Sequence, residues 1–212
     1  MVLNNTLASS EDVVLVTGFG PFGDIKVNAS IEAVKLLSSL DIEQELHIKL
    51  VTQEVPVQYD YVKSNIHHLW KTHKPKLVLH VGVSGIAHEL NLEQQAFNSG
   101  YCSPDISGCI PSDNVCIPEA QNVLKSKIDM NTVCQSINNS SCGVMSCVSD
   151  DPGRYLCDYI YYNSLHFDNA RAAFIHVPVL NSPYTALQLA QGLKEAIKAM
   201  LEQIRENEAK SN

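Results

Sequence analysis

The sequence predicts an α/β protein, a single-domain three-layer α/β/α sandwich around a mostly parallel or mixed sheet. Three observations carry this. VVLVT at 13–17, LVLHV at 77–81 and AAFIHVP at 172–178 are continuous apolar runs, as expected of strands covered on both faces rather than half exposed. Longer segments with apolar residues at helical spacing lie between them. The 212 residues, 45% hydrophobic, supply one sizeable core, with no repeat or second domain apparent, so a single domain over 1–212 is expected.

Taken in order, residues 1–12 are polar and expected to fray, and the strand at 13–17 runs into the glycine-rich loop Gly18-Phe-Gly-Pro-Phe-Gly23. A helix over 28–40 follows, with Ala33, Leu36, Leu37 and Leu40 on one face. Residues 47–55 alternate like a strand that stops at Pro56, and 59–72 read as a helix with Val62, Ile66, Leu69 and Trp70 inward. The strand at 77–81 ends in a turn, Gly82-Val-Ser-Gly85. Glu93 falls in the half-apolar segment 90–98. Residues 98–122, rich in Gly, Pro, Ser, Asp and Asn, form a long loop excursion. A short helix at 130–137 and a strand at 144–148 precede a helix over 155–167, in which Tyr155, Tyr159 and Tyr162 share a side. After a polar break at 168–171 comes the strand ended by Pro178. Residues 184–205 form the last helix, with Leu187, Ala190, Leu193, Ile197 and Leu201 inward, and 207–212 are left as a tail.

Charge excludes two partner classes. The formal net charge is −8 and the Lys and Arg residues are scattered, so neither nucleic acid nor an anionic membrane is an expected partner. The first residues lack a basic stretch followed by an apolar one, and no run approaches a membrane span, which points to the cytoplasm. Seven cysteines, an odd count, then fit reduced thiols better than a disulfide framework. Cys102, Cys109 and Cys116 lack a C-x-x-C element and a nearby histidine, which argues against a zinc site, and no cofactor is called for.

Chemistry concentrates in the stretch 150–181. Asp150, Asp151, Pro152 and Gly153 are breakers and caps, which puts Cys157 in the opening turns of a helix, where free N–H groups and the helix dipole favour thiolate over thiol. His176 lies at the carboxyl end of the following strand, the edge at which open α/β sheets place ligands. Spacing alone leaves two readings open, a nucleophile with its base or two buried core residues. The G-x-G-x-x-G spacing of Gly18 to Gly23 invites a dinucleotide reading. Pro21, the bulk of Phe22, a helix beginning well after Gly23 and the distant Glu54 all argue against it. Phe19 and Phe22 are either flat walls for a small ring or packing beneath the loop.

The motifs VTGFGPFG with the following VNAS, HVGVSG, LEQQAFN, DDPGRYLCDYIYYNSL and FIHVP followed by SPY occur in this order, and in them the chain resembles the pyroglutamyl-peptidase I family of cysteine peptidases from about residue 13 to 184. The resemblance implies a three-layer α/β/α fold and removal of amino-terminal pyroglutamate from small peptides. It also implies a triad of Cys157, His176 and Glu93, with Phe19 and Phe22 around the lactam ring and the main chain of Val83 bonding the lactam amide. Oligomeric state is not legible, a monomer being the simplest expectation. Two departures from the family pattern stand out. No Arg or Lys lies between Glu93 and Lys125, the family's basic position falling near Cys102, and Pro152 stands where alanine is common. A non-catalytic binder of pyroglutamyl peptides and a Cys-His hydrolase of another amide are the rivals. The complete triad argues against the first and the GFGPFG loop against the second.

Overall fold

The computed structural model describes residues 11–211. Its elements are β1 (Asp12–Phe19), α1 (Ala29–Leu36), α2 (Ile42–Leu46), β2 (Ile48–Val55), α3 (Tyr59–His73), β3 (Leu77–Ser84), β4 (Leu90–Glu93) and β5 (Gln95–Phe97). The second half adds β6 (Val123–Lys125), α4 (Met130–Asn139), β7 (Ser146–Ser149), α5 (Leu156–Asp168), β8 (Ala172–Pro178) and α6 (Ala186–Ser211). Six strands form one mixed sheet in the order β2-β1-β3-β8-β4-β7, while β5 and β6 pair as a separate ribbon. β2, β1, β3 and β8 are parallel, β4 runs antiparallel to β8, and β7 follows β4.

Alternation along the strands builds the three layers. Val14 and Val16 of β1, Leu79 and Val81 of β3, and Ala173, Ile175 and Val177 of β8 enter one core beneath α1, α4 and α6. Leu15, Val78 and Phe174 point the other way, into a second core beneath α3 and α5. Strands buried on both faces need continuous apolar residues, which is why those runs read so clearly in the sequence. By the same alternation His176 shares the face of Phe174, towards α5.

A polar thread crosses the second core. Thr17 Oγ1 lies 2.7 Å from His80 Nδ1, His80 Nε2 lies 2.7 Å from Ser164 Oγ, and Trp70 Nε1 donates to that hydroxyl at 3.0 Å. Complete burial pushes the His80 pKa down to about 3, so this histidine is neutral. The thread ties α3 and α5 to β1 and β3.

The structure corrects the sequence reading at several points. β3 continues through Gly82 and Val83 to Ser84, because parallel pairing with β8 extends to Ser84 opposite Pro178. Residues 207–211 continue the last helix rather than forming a tail, and Leu187 of that helix is exposed. The short α2, β5 and β6 escaped detection because segments of three to five residues carry too few periods. α5 is not one-sided: Asp158 through Leu165 are all buried, and Tyr155 is its N-cap rather than a helical residue. Of the frayed start expected over 1–12, residues 1–10 lie outside the described residues, and Asp12 opens β1.

Candidate active site

Cys157 is the second residue of α5, after an extended N-cap at Tyr155, so its side chain leaves the first helical turn. It points onto the sheet at Gly82. A Cβ built on Gly82 would stand 2.7 Å from Cys157 Sγ and 2.8 Å from Phe174 Cζ, so only glycine leaves room for the sulfur there. Gly82 is the register partner of His176 on the neighbouring β8, which brings sulfur and imidazole together. Glu93 comes from the other side: β4 is antiparallel to β8, and Glu93 pairs with Phe174, two residues before His176 and on the same face. Its Oε1 accepts from His176 Nδ1 at 2.8 Å, with Glu93 1% exposed and His176 7%.

Electrostatics follow from this packing. Burial by itself would lower the pKa of His176, but the Cys157 sulfur, by charge and hydrogen bond, and the Glu93 carboxylate push it up to about 10. The packing therefore favours the imidazolium form. The Nδ1 bond to Glu93 fixes the ring so that Nε2 is the nitrogen left for the sulfur.

A small hollow of about 20 Å³ opens beside the sulfur, lined by Phe19, Phe22, Asn28, Val57, Val83, Tyr155, Leu156 and Cys157. Among these described residues there is no Asp or Glu. Phe19 is buried in the α3/α5 core and Phe22 half-buried against it, so both rings pack beneath the loop as well as lining the hollow. The loop that carries them is held by Asn28, whose Nδ2 donates to Gly20 O at 2.9 Å while its Oδ1 caps α1 through Ser30 N. α1 starts at Ala29, well beyond Gly23, so no helix N-terminus meets the glycines as a dinucleotide loop would require. A larger hollow of about 720 Å³ lies around Lys127, Arg171, Glu208 and Lys210, and none of the triad residues lines it. Among the described residues no group of three or more His, Cys, Asp or Glu is arranged to hold a metal ion.

All six site residues read from the sequence thus meet in one place. Comparison with known proteins concerns the chain as a whole. The pyroglutamyl peptidase family profile matches residues 12–204. The chain belongs to this family. Human pyroglutamyl-peptidase 1 is 42% identical over 199 residues, covering 94% of either chain, and the pyrrolidone-carboxylate peptidase of Thermosipho africanus is 31% identical over 205 residues, covering 90% of this chain and 97% of its own. The pyrrolidone carboxyl peptidase of Thermococcus litoralis shares the fold with a TM-score of 0.82 at 21% identity, covering 92% of this chain and 96% of that one.

Against the family pattern, two local features become clear. Arg154 approaches the segment after Glu93, its guanidinium 3.6 Å over the Phe97 ring and its stem against Gly100. It is already paired with Asp151 at 2.6 Å. Pro152 precedes the helix rather than lying in its first turn, in a loop where Gly153 adopts φ +82°, so it breaks no helical hydrogen bond. Sequence reading gave no site role to Gly82, Asn28, Val57, Tyr155 or Leu156, although the motifs HVGVSG, VNAS and DDPGRYLCDYIYYNSL contain all of them but Val57.

Proposed function

We propose that this protein is a cysteine omega-exopeptidase that hydrolyses the bond after an amino-terminal pyroglutamate. One observation carries the reading: a sulfur at a helix start, beside a histidine held on a buried carboxylate, opens into an aromatic hollow without acidic residues. Pyroglutamate is a neutral lactam, so it needs flat apolar walls and main-chain partners rather than an anion for an α-ammonium. Phe19 and Phe22 would flank the ring, and the main chain of Val83 would bond the lactam amide.

With the ring seated, the Cys157 thiolate attacks the scissile carbonyl and forms a tetrahedral oxyanion, towards which the N–H of Cys157 donates. His176 gives its proton to the departing amine, the C–N bond breaks, and a thioester remains. His176, now neutral, takes a proton from water, whose oxygen attacks the thioester. Pyroglutamate leaves and the thiolate is restored. Glu93 holds the ring and stabilises its charged form throughout.

The substrates are small peptides, and the enzyme acts as a cytoplasmic monomer. Triad and hollow come from one chain, and the seven cysteines are all free. No helix among the described residues is long and apolar enough to cross a membrane. The test is hydrolysis of a fluorogenic pyroglutamyl amide beside its prolyl and glutamyl counterparts. Turnover of the first alone, lost in Cys157→Ala, is expected; equal turnover of all three would sink the assignment.

A further inference from the structure

The nucleophile helix carries a buried acid that the chemistry above does not use. Asp158 is 0% exposed and directly follows Cys157. Its Oδ1 accepts from the N–H of Phe97 at 2.9 Å, and its Oδ2 lies 3.1 Å from the Tyr101 hydroxyl, which also bonds the carbonyl of Phe97. One helical turn on, the Tyr161 hydroxyl donates to the carbonyl of Glu93 at 2.8 Å. Residues 158 and 161 lie on one helix face, so α5 grips both ends of the segment from Glu93 to Phe97.

We propose that Asp158 is a positioning residue: with Tyr161 it fastens the strand segment bearing Glu93 to the helix bearing Cys157, so that carboxylate and thiol keep one spacing across His176. This rests on the triad reading. Glu93 ends β4 and the Gln94 N–H makes a further bond to the main sheet, to Ser149 O at 2.8 Å; the bonds of Asp158 and Tyr161 add the tie to α5. Burial pushes the Asp158 carboxyl up to about 7, opposed by Phe97 N–H, Arg154 and Tyr101, with Asp151 raising it further. Cys116, Tyr161 and Tyr162 also face it. The Arg154 guanidinium stands 3.6 Å from Oδ2, and the Tyr101 hydroxyl lies between Oδ2 and the carbonyl of Phe97. An asparagine would keep an oxygen for the Phe97 N–H and offer an N–H to Tyr101 Oη.

The experiment is a double-mutant cycle on kcat and KM with a pyroglutamyl amide, combining Asp158→Ala or Tyr161→Phe with Glu93→Gln, beside Asp158→Asn and Cys157→Ala. Asp158→Ala is expected to lower kcat about 10- to 100-fold with KM within about threefold, because about an ångström of misplacement suffices for such losses. The alkaline limb of its pH profile should move to lower pH, as in Glu93→Gln. On the Glu93→Gln background the same change should cost under about threefold, and Asp158→Asn should retain most of kcat. Additive losses in the cycle, an unmoved alkaline limb, or an Asp158→Asn as impaired as the alanine variant would overturn the proposal. Should Asp158→Ala not fold, Tyr161→Phe carries the cycle. An active Cys157→Ala would instead overturn the triad, whereas an inactive one beside a wild-type Asp158→Ala defeats the positioning role alone. A Glu93→Gln with wild-type kinetics would remove Glu93 from the mechanism and this proposal with it.

Discussion

A methyl group on residue 82 would meet Cys157 Sγ at 2.7 Å, and Phe174 blocks the other side at 2.8 Å, so Gly82→Ala must push the sulfur off its line to His176. A loss of about 10²-fold in kcat is expected from such a displacement, with KM little changed, and steady-state kinetics on the folded variant measures it. An unchanged kcat would show that the sulfur reaches the carbonyl from elsewhere. Glu93→Gln acts on charge rather than place. With its pKa at about 10, His176 contributes stability that is complete below its ordinary 6.5 and is lost as pH rises towards 10. Activity follows the same sign, since neutral imidazole cannot protonate the leaving amine. The glutamine variant should lose about 10- to 10³-fold in kcat/KM, about 1.4–4 kcal/mol, and its alkaline limb should shift to lower pH. A pH series of kcat/KM in both proteins reads the shift directly.

At the scale of elements, α5 matters most, and it departs furthest from the pattern of an ordinary surface helix. Ser164 accepts from Trp70 Nε1 and lies against His80 Nε2, all three being buried. Ser164→Ala leaves both partners unsatisfied and should cost about 1–3 kcal/mol, visible as a lower midpoint in urea, while kcat stays close to wild type. A parallel fall in kcat would mean that the thread also tunes the site. This helix shows where sequence reading succeeds and where it stops. Its start was legible because Pro152 and Gly153 interrupt the chain shortly before Leu156, and the doubly covered strands declared themselves by continuous apolar runs. Asp158 and Ser164 were not legible, because a polar residue in a helix reads as a solvent face until the partner that buries it is known. The partners lie far along the chain, Phe97 for Asp158 and Trp70 for Ser164. The triad residues were placed through family motifs. Glu93 in particular has no local signal, since its role depends on β4 running antiparallel beside β8.

Seen as a whole molecule, the protein attaches the long excursion 98–122 to the rim of its hollow. Asn98 closes the base, donating its backbone N–H to Asn122 O at 2.8 Å and accepting from Ile117 N on its side chain at 2.8 Å. The tip is held by Asp105, which accepts from Tyr59 N at 2.9 Å, Ser107 N at 2.8 Å and Cys109 N at 3.0 Å. Tyr59 is the first residue of α3, whose N-cap Gln58 makes no side-chain capping bond, its Nε2 donating instead to Ser107 Oγ at 2.6 Å, so a carboxylate 46 positions along the chain supplies that cap. Nearby, the Tyr155 hydroxyl donates to Pro104 O at 3.1 Å and Ile106 N donates to Val57 O at 3.2 Å, and both Tyr155 and Val57 line the hollow. Asp105→Ala should therefore loosen the wall without touching the sulfur. KM for a pyroglutamyl amide should rise about 3- to 30-fold, corresponding to about 0.6–2 kcal/mol of lost binding, with kcat within about threefold. Limited proteolysis should cut the variant within 98–122 faster than the wild type, since the tether is lost while the rest of the fold keeps its cores. A variant with unchanged KM and unchanged cleavage would show that the hollow holds its shape independently of the excursion.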